Sequence, residues 1–232
     1  GVSSSFQVFY ATLLEVFDWS HAGGASPYAV NQLVLAASAP FMGWLLDRFG
    51  PRWLFSAAAA LVGIAWMACG TLRTLGQFIL FYGVLSALGQ TALSLAMVVV
   101  SRWFQHTHRG RAIGLADVGT GFGHVVLVPG SAWLITAVGW QGAFVVVGAV
   151  VLAVLVPLNL LHRPTPTLGR PDLRAATLKG ALRTRALWSL CVAHLCMSVT
   201  MTMVNVHLVN FLVGTGTLQV LGASTVYSAL SL

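Results

Sequence analysis

The sequence predicts an all-α polytopic membrane protein, and three observations carry that prediction. Of the 232 residues, 57% are hydrophobic and only 7% are charged, against about 25% charged in soluble domains. Charge-free apolar runs cover residues 53–72, 74–101, 118–161 and 186–232, and a helix needs roughly 20 such residues to cross a bilayer's hydrocarbon core. Eleven of the twelve Lys and Arg residues fall in 47–52, 101–111 and 162–186, leaving Arg73 alone elsewhere. A soluble enzyme with a large buried core is excluded, because nothing remains to build its surface. A transmembrane barrel would need segments of about ten residues alternating in polarity, and this alternation is missing.

The apolar runs divide into eight spans in order: 1–16, 28–46, 53–71, 76–100, 112–135, 141–161, 187–212 and 218–232. The first and last read as truncated, since the chain opens on Gly1 within an apolar stretch and ends within another at "TVYSALSL". Pro157 lies inside the sixth span, where its missing N–H predicts a kink. The distribution of basic residues places 47–52, 101–111 and 162–186 on the cytoplasmic side by the positive-inside rule. Glu15 and Asp18 flank the first outer loop. The expected organisation is a six-helix bundle over 1–161, a basic cytoplasmic linker over 162–186, and the beginning of a second bundle over 187–232.

The linker "HRPTPTLGRPDLRAATLKGALRTR" (162–185) carries three Pro and six basic residues. Its second half, 172–185, has apolar residues at helical spacing. That pattern fits either a basic amphipathic segment on the inner leaflet or a solvated linker between bundles. The net charge of +7 would elsewhere suggest nucleic acid; here it belongs to membrane-flanking loops, and no nucleic-acid partner is expected. Cys69, Cys191 and Cys196 all sit in apolar runs without paired spacing and read as small apolar fillers.

The turn "PFMGWLLDRFGPRW" (40–53) is the most informative stretch. Gly50-Pro51 enforces a tight turn and Gly43 permits close helix contact. Asp47 stands at a helix C-terminus, the unfavourable end for an anion, so it must be held by cations or by another helix's N-terminus. Gly43, Asp47, Arg48, Gly50 and Arg52 resemble the G-x3-D-R/K-x-G-x-R/K-R/K signature of the major facilitator superfamily, with Trp53 departing from its last basic position. A narrower resemblance, to the monocarboxylate-porter and oxalate/formate-antiporter branch, runs through "SRWFQHTHRGRAIGLADVGTGFG" (101–123), "GW" (139–140), "FDWSHA" (17–22) and "HLVNFL" (207–212).

The resemblance implies a twelve-helix fold of two six-helix bundles, each of inverted three-helix repeats, with substrate bound between the bundles. This chain would then be a fragment holding the first bundle and the start of the second. The turn would form a latch pinning the bundles together in one state, with the helix that meets Asp47 lying beyond Leu232. The alternative is a basic topogenic turn without a gating role. The implied cargo is a small organic anion, a mono- or dicarboxylate, exchanged for a counter-anion or carried with a proton in a bacterial inner membrane. An Arg that anchors the carboxylate is expected beyond Leu232, because no Arg or Lys falls within a predicted span here.

Intramembrane polar residues supply the site candidates. Asp117 and His124 lie two turns apart on one helix face, about 10 Å along the axis. They form either a proton-coupling relay, with His124 titrating near neutrality, or a structural arrangement in which Asp117 pairs with Arg109 or Arg111. Helix four presents Gly83, Ser86, Gln90, Ser94 and Ser101 on one face; Asn31 and Ser38 are seven apart on helix two, and His194, Ser198 and Asn205 form a stripe on helix seven. Interhelical hydrogen bonding explains each stripe as well as a substrate path does. Tyr10, Asn31, Gln90, His124 and Asn205 are the candidates for the cavity.

Glycines of helix five fit part of the family's antiporter motif G-x8-G-x3-G-P-x2-G at Gly110, Gly119 and Gly123, with His124 at the Pro position and Leu127 at the last Gly. Close helix packing accounts for these glycines equally.

Other classes fare worse. An intramembrane enzyme would have to use His124, His194 and Asp117, and the sequence offers no nucleophile–base cluster or HExxH pair. The only lysine, Lys179, falls in a predicted loop, which removes a retinal Schiff base from consideration. No cofactor and no metal are expected. Coupling would come from ion or solute gradients.

Overall fold

An unbroken helix of 47 apolar residues would be about 70 Å long, more than twice the hydrocarbon thickness of a bilayer. The long helices therefore have to break, and glycine is where they do. The computed structural model describes residues 2–17, 19, 21–104, 108–161, 183–185 and 188–200. It divides the chain into two compact units, Gly1–Pro166 and Thr167–Leu232.

In the first unit, α1 is Val2–Phe17. The stretch His21–Cys69 breaks at Gly50 (φ 77°, ψ 166°) into α2 (21–49) and α3 (51–69). Leu75–Trp103 forms α4. Arg109–Val150 breaks at Gly139 (φ 76°, ψ 166°) into α5 (109–138) and α6, which continues from 140 to 160. Both break residues sit in a backbone region essentially reserved for glycine. Three helical stretches are long and apolar enough to cross a membrane, Gly23–Cys69, Leu75–Trp103 and Gly110–Leu160. Split at Gly50 and Gly139 they give five membrane-length helices, and the described residues contain no strand.

Observed helices extend beyond the predicted spans at several ends. Helix α2 starts seven residues before 28, running through Pro27. Proline leaves the carbonyl four residues earlier without its helical donor. That carbonyl is Gly23 O, and Ser26 Oγ donates to it at 2.7 Å. Near Pro157 the helix widens into a π turn, Val151–Leu155, before resuming at Val156–Leu160, so a local change of pitch accommodates the missing N–H.

Helices within lipid gain little from apolar burial against one another, so close backbone approach carries their association. Helices α3 and α6 cross at Gly63 and Gly148: a Cβ on Gly148 would stand 2.6 Å from Gly63 O and one on Gly63 2.9 Å from Gly148 O. Gly70 meets Gln141 O at 2.9 Å in the same way. Gly89 brings α4 against Ala58 O of α3 at 2.7 Å, and Gly83 brings it to Pro27 O of α2 at 3.2 Å.

Of the helix-five glycines, Gly110, Gly114 and Gly119 make no close approach within this unit. A Cβ on Gly110, Gly114 or Gly119 would meet nothing within 4 Å, and the same holds for Gly43. Closely packed glycines fall instead on α3, α4 and α6, where small residues face a neighbouring backbone.

The core is aromatic. Phe9, Trp66, Phe78, Tyr82 and Phe144 are buried, with Phe9 stacked on Phe144 at 4.0 Å and Phe6 on Tyr82 at 4.5 Å. Phe17, Trp19 and Trp140 extend this cluster. A second cluster joins Met42, Leu46, Leu54, Phe55 and Val99 from α2, α3 and α4.

In the second unit the described helix is Trp188–Thr200, which carries exposed Leu190, Leu195 and Met197. Most of the predicted linker, the remainder of the seventh span and the eighth span lie outside the described residues.

Candidate functional site

The turn between α2 and α3 is built as its residues require. Gly50 supplies the positive φ that ends α2, and Pro51 opens α3 with the fixed φ suited to a first helical residue. Asp47, in the last turn of α2, needs a cation, and Arg102 Nη1 provides one at 2.9 Å from Asp47 Oδ1. Arg102 comes from the last turn of α4, where a cation also complements the helix dipole. The sequence had counted Arg102 only toward sidedness and looked for Asp47's main partner beyond Leu232. Within the described residues the partner comes from the same unit. Both residues end helices on the basic side, which the sequence shows, but the packing of α2 on α4 through Gly83 that brings them together is not legible there.

A polar seam runs between α2, α3 and α4. Asn31 is buried, and its Nδ2 donates to the carbonyl of Tyr82 at 2.9 Å. That carbonyl belongs to a π-helical stretch, Ile79–Ser86, where the usual i+4 pairing of the backbone is displaced. Asn31 thus satisfies a backbone group that the wide turn disturbs. Trp66 Nε1 (3.1 Å) and Gln90 Nε2 (2.7 Å) both donate to Ser86 Oγ. Further along, Ser38 and Thr91 hydroxyls pair at 2.9 Å. Asn31 and Ser38 of helix two thus meet helix four at the Tyr82 carbonyl and Thr91, whereas Ser86 of the predicted helix-four face accepts from Gln90 on the same helix and from Trp66 of α3.

Tyr82 differs from its neighbours. Its side chain is fully buried, and its hydroxyl has no hydrogen-bond partner among the described residues. Removing a buried hydroxyl that lacks a partner is nearly neutral or stabilising, whereas removing a donor from a satisfied carbonyl costs about 1 kcal/mol. Tyr82→Phe is accordingly expected to melt at or slightly above the parent temperature in detergent, and Asn31→Ala below it. A clear loss of stability in Tyr82→Phe would mean that the hydroxyl is satisfied in the folded protein.

Among the other candidates, Tyr10 is half-buried on α1, with its ring stacked on Phe6 at 5.7 Å, and Gln90 is half-buried on α4. Asp117 is exposed on α5 and makes no ion pair with a described residue. Leu115, Val118 and Phe122 are exposed on the same helix. The side chains of His124 and Arg109, and the whole of Asn205, lie outside what the structure describes. His194 and Ser198 are exposed on the helix of the second unit. No group of three or more His, Cys, Asp or Glu suited to a metal ion occurs among the described residues.

A bundle of apolar helices, a Gly-Pro turn with an acid held by a neighbouring helix, and a polar seam between α2, α3 and α4 define a polytopic helical membrane protein. The family model for the Major Facilitator Superfamily matches residues 1–232, and the chain belongs to that family. It is 24% identical over 188 residues to the MFS-type transporter YcxA of Bacillus subtilis, covering 80% of this chain and 45% of that protein. It is 30% identical over 172 residues to monocarboxylate transporter 11 of Mus musculus, covering 74% and 38%. The oxalate:formate antiporter of Oxalobacter formigenes is 24% identical over 163 residues, covering 70% and 39%. The chain spans less than half the length of these relatives.

Proposed function

We propose that this chain supplies the first six-helix wall of a secondary carrier for small organic anions, mono- or dicarboxylates, working by alternating access with proton symport or anion exchange. The observation that carries the transport reading is the Asp47–Arg102 pair set in the 43–52 turn of a major-facilitator chain. In this reading Gly43, Asp47, Arg48, Gly50 and Arg52 form the cytoplasmic half of a conformational latch. The substrate class draws its support from relatives named for monocarboxylates and for oxalate and formate. Tyr10 and Gln90 are half-buried and remain candidates for the cavity wall, with His124 and Asn205. Asn31 is buried and donates to the Tyr82 carbonyl, which favours interhelical hydrogen bonding over a cavity role for it.

Whole carrier in proteoliposomes is the test. Labelled oxalate, formate or lactate should show counterflow against the same unlabelled anion, and residues 1–232 alone should show none. Carboxylate counterflow that is absent while a neutral drug exchanges would favour the second reading, an efflux carrier. The 30% identity over 168 residues to the fujikurins efflux protein of Gibberella fujikuroi gives that reading its support.

Proton coupling is assigned to Asp117 and His124. Asp117 is exposed on α5 and makes no ion pair with a described residue, which supports this reading over a structural pairing with Arg111. Asp117→Asn is expected to abolish the pH dependence of uptake while leaving pH-independent exchange. Unchanged uptake and an unchanged pH profile would end the relay.

A further inference from the structure

Helix α2 turns two different edges outward. One carries the large apolar side chains Leu33, Phe41 and Trp44, all exposed, which is the composition of an edge that meets lipid. The other carries Tyr28 and Gln32, also exposed and four residues apart on one face. About 16 Å of helix precedes Gln32 in α2 and about 25 Å follows it, which sets its amide inside a hydrocarbon core of about 30 Å. Gln32 makes no hydrogen bond to a described residue. An amide turned to lipid would be left without any partner, so this edge faces a path that water or solute enters.

The Tyr28 ring on that edge is held in place. It stacks on Phe6 at 5.4 Å, as Tyr10 does at 5.7 Å. Phe6 is buried and stacks in turn on buried Tyr82 at 4.5 Å. One face of the Tyr28 ring is thus fixed against the core while the side chain stays open to the outside. A ring already fixed gives up little freedom when a second ring comes to lie on it, and aromatic pairs attract beyond the area they bury. Neither α1 nor α2 as far as Asp47 contains Arg or Lys. What this edge offers a solute is therefore a flat apolar platform and a neutral amide donor.

We propose that the cargo is a planar aromatic monocarboxylate, with its ring on Tyr28 and its carboxylate accepting a hydrogen bond from the Gln32 amide. The two positions lie about 6 Å apart along the helix axis, the length of a six-membered ring bearing one carboxylate. A compact anion such as oxalate would leave the Tyr28 ring unused. This inference rests on the carboxylate-carrier reading and narrows it.

Counterflow of labelled benzoate by the whole carrier in proteoliposomes, measured above that of protein-free vesicles, tests it. Benzoate and cyclohexanecarboxylate have the same charge and nearly the same size, and only benzoate is flat and aromatic. Unlabelled benzoate is expected to compete at a roughly fivefold lower concentration than cyclohexanecarboxylate. Tyr28→Leu should erase that preference and Tyr28→Phe should keep it. Gln32→Leu should raise the half-competing concentration of both acids roughly tenfold without changing their ratio. Should the leucine variants fail to fold, the ratio of the two acids on the parent decides. Equal competition by the two acids, a preference that survives Tyr28→Leu, or unchanged competition in Gln32→Leu overturns the inference. Lactate counterflow without benzoate counterflow would overturn it and leave the carboxylate-carrier reading standing, whereas counterflow of neither would overturn both.

Discussion

Gly148→Ala is expected to destabilise the bundle by about 3 kcal/mol, the upper part of the range for overpacking. The reason lies in what the added methyl would meet. Its carbon would stand 2.6 Å from Gly63 O and 2.8 Å from Met67 N, both backbone atoms, as well as 2.6 Å from Met67 Cγ. A flexible side chain can swing away from an intruding methyl, whereas a backbone atom moves only if α3 moves. Separating α3 from α6 would also loosen the Phe9–Phe144 and Phe9–Trp66 contacts that tie α1 to both. Gly114→Ala is the matched control, because nothing lies within 4 Å of its added methyl. Alanine favours a helix over glycine by up to about 1 kcal/mol, so that variant should be neutral or slightly more stable. Thermal unfolding in one detergent reads both. A Gly148→Ala protein that melts with its parent would show that the helices do not cross as closely as the glycines allow.

These contacts also mark the limit of what the sequence reveals. Long apolar runs, the charges that punctuate them and the Gly50-Pro51 turn made the helices and their order legible, since each is a local property of composition. Gly139 takes nearly the same backbone angles as Gly50, yet no charge surrounds it, and in the sequence it stood out only as part of a "GW" pair. Which glycines pack was not legible at all. Gly110, Gly114 and Gly119 of the glycine-rich helix five approach nothing within 4 Å, whereas Gly63, Gly89 and Gly148 make close approaches, because only the partner helix decides where a missing Cβ matters. Asn31 and Arg102 fall under the same heading. Asn31 could be recognised as an intramembrane amide, but its acceptor, the Tyr82 carbonyl, is 51 residues away and is exposed to it by a π-helical stretch that composition does not announce. Arg102 was visible as a charge, and its tie to Asp47 across 55 residues became visible only once α2 and α4 lay side by side.

The Asp47–Arg102 pair is where stability and function are expected to part. The two side chains are 63% and 51% exposed, and a pair so open to solvent contributes only about 0–1 kcal/mol to folding. Asp47→Asn and Arg102→Gln should therefore melt within a few degrees of the parent. If the turn is a latch, counterflow by the whole carrier should nevertheless fall about tenfold or more in either variant. A tenfold fall requires the pair to be worth about 1.4 kcal/mol more in one conformation of the carrier than in the other. That is attainable for charges that another helix covers in one state and water reaches in the next. The charge swap Asp47→Arg/Arg102→Asp separates a pairwise role from a single-residue one, since it should return most of the lost counterflow while neither single reversal does. Unchanged counterflow in Asp47→Asn would reduce the turn to a topological signal. Lost counterflow with no rescue by the swap would mean that Asp47 acts through a different partner in the conformation that matters.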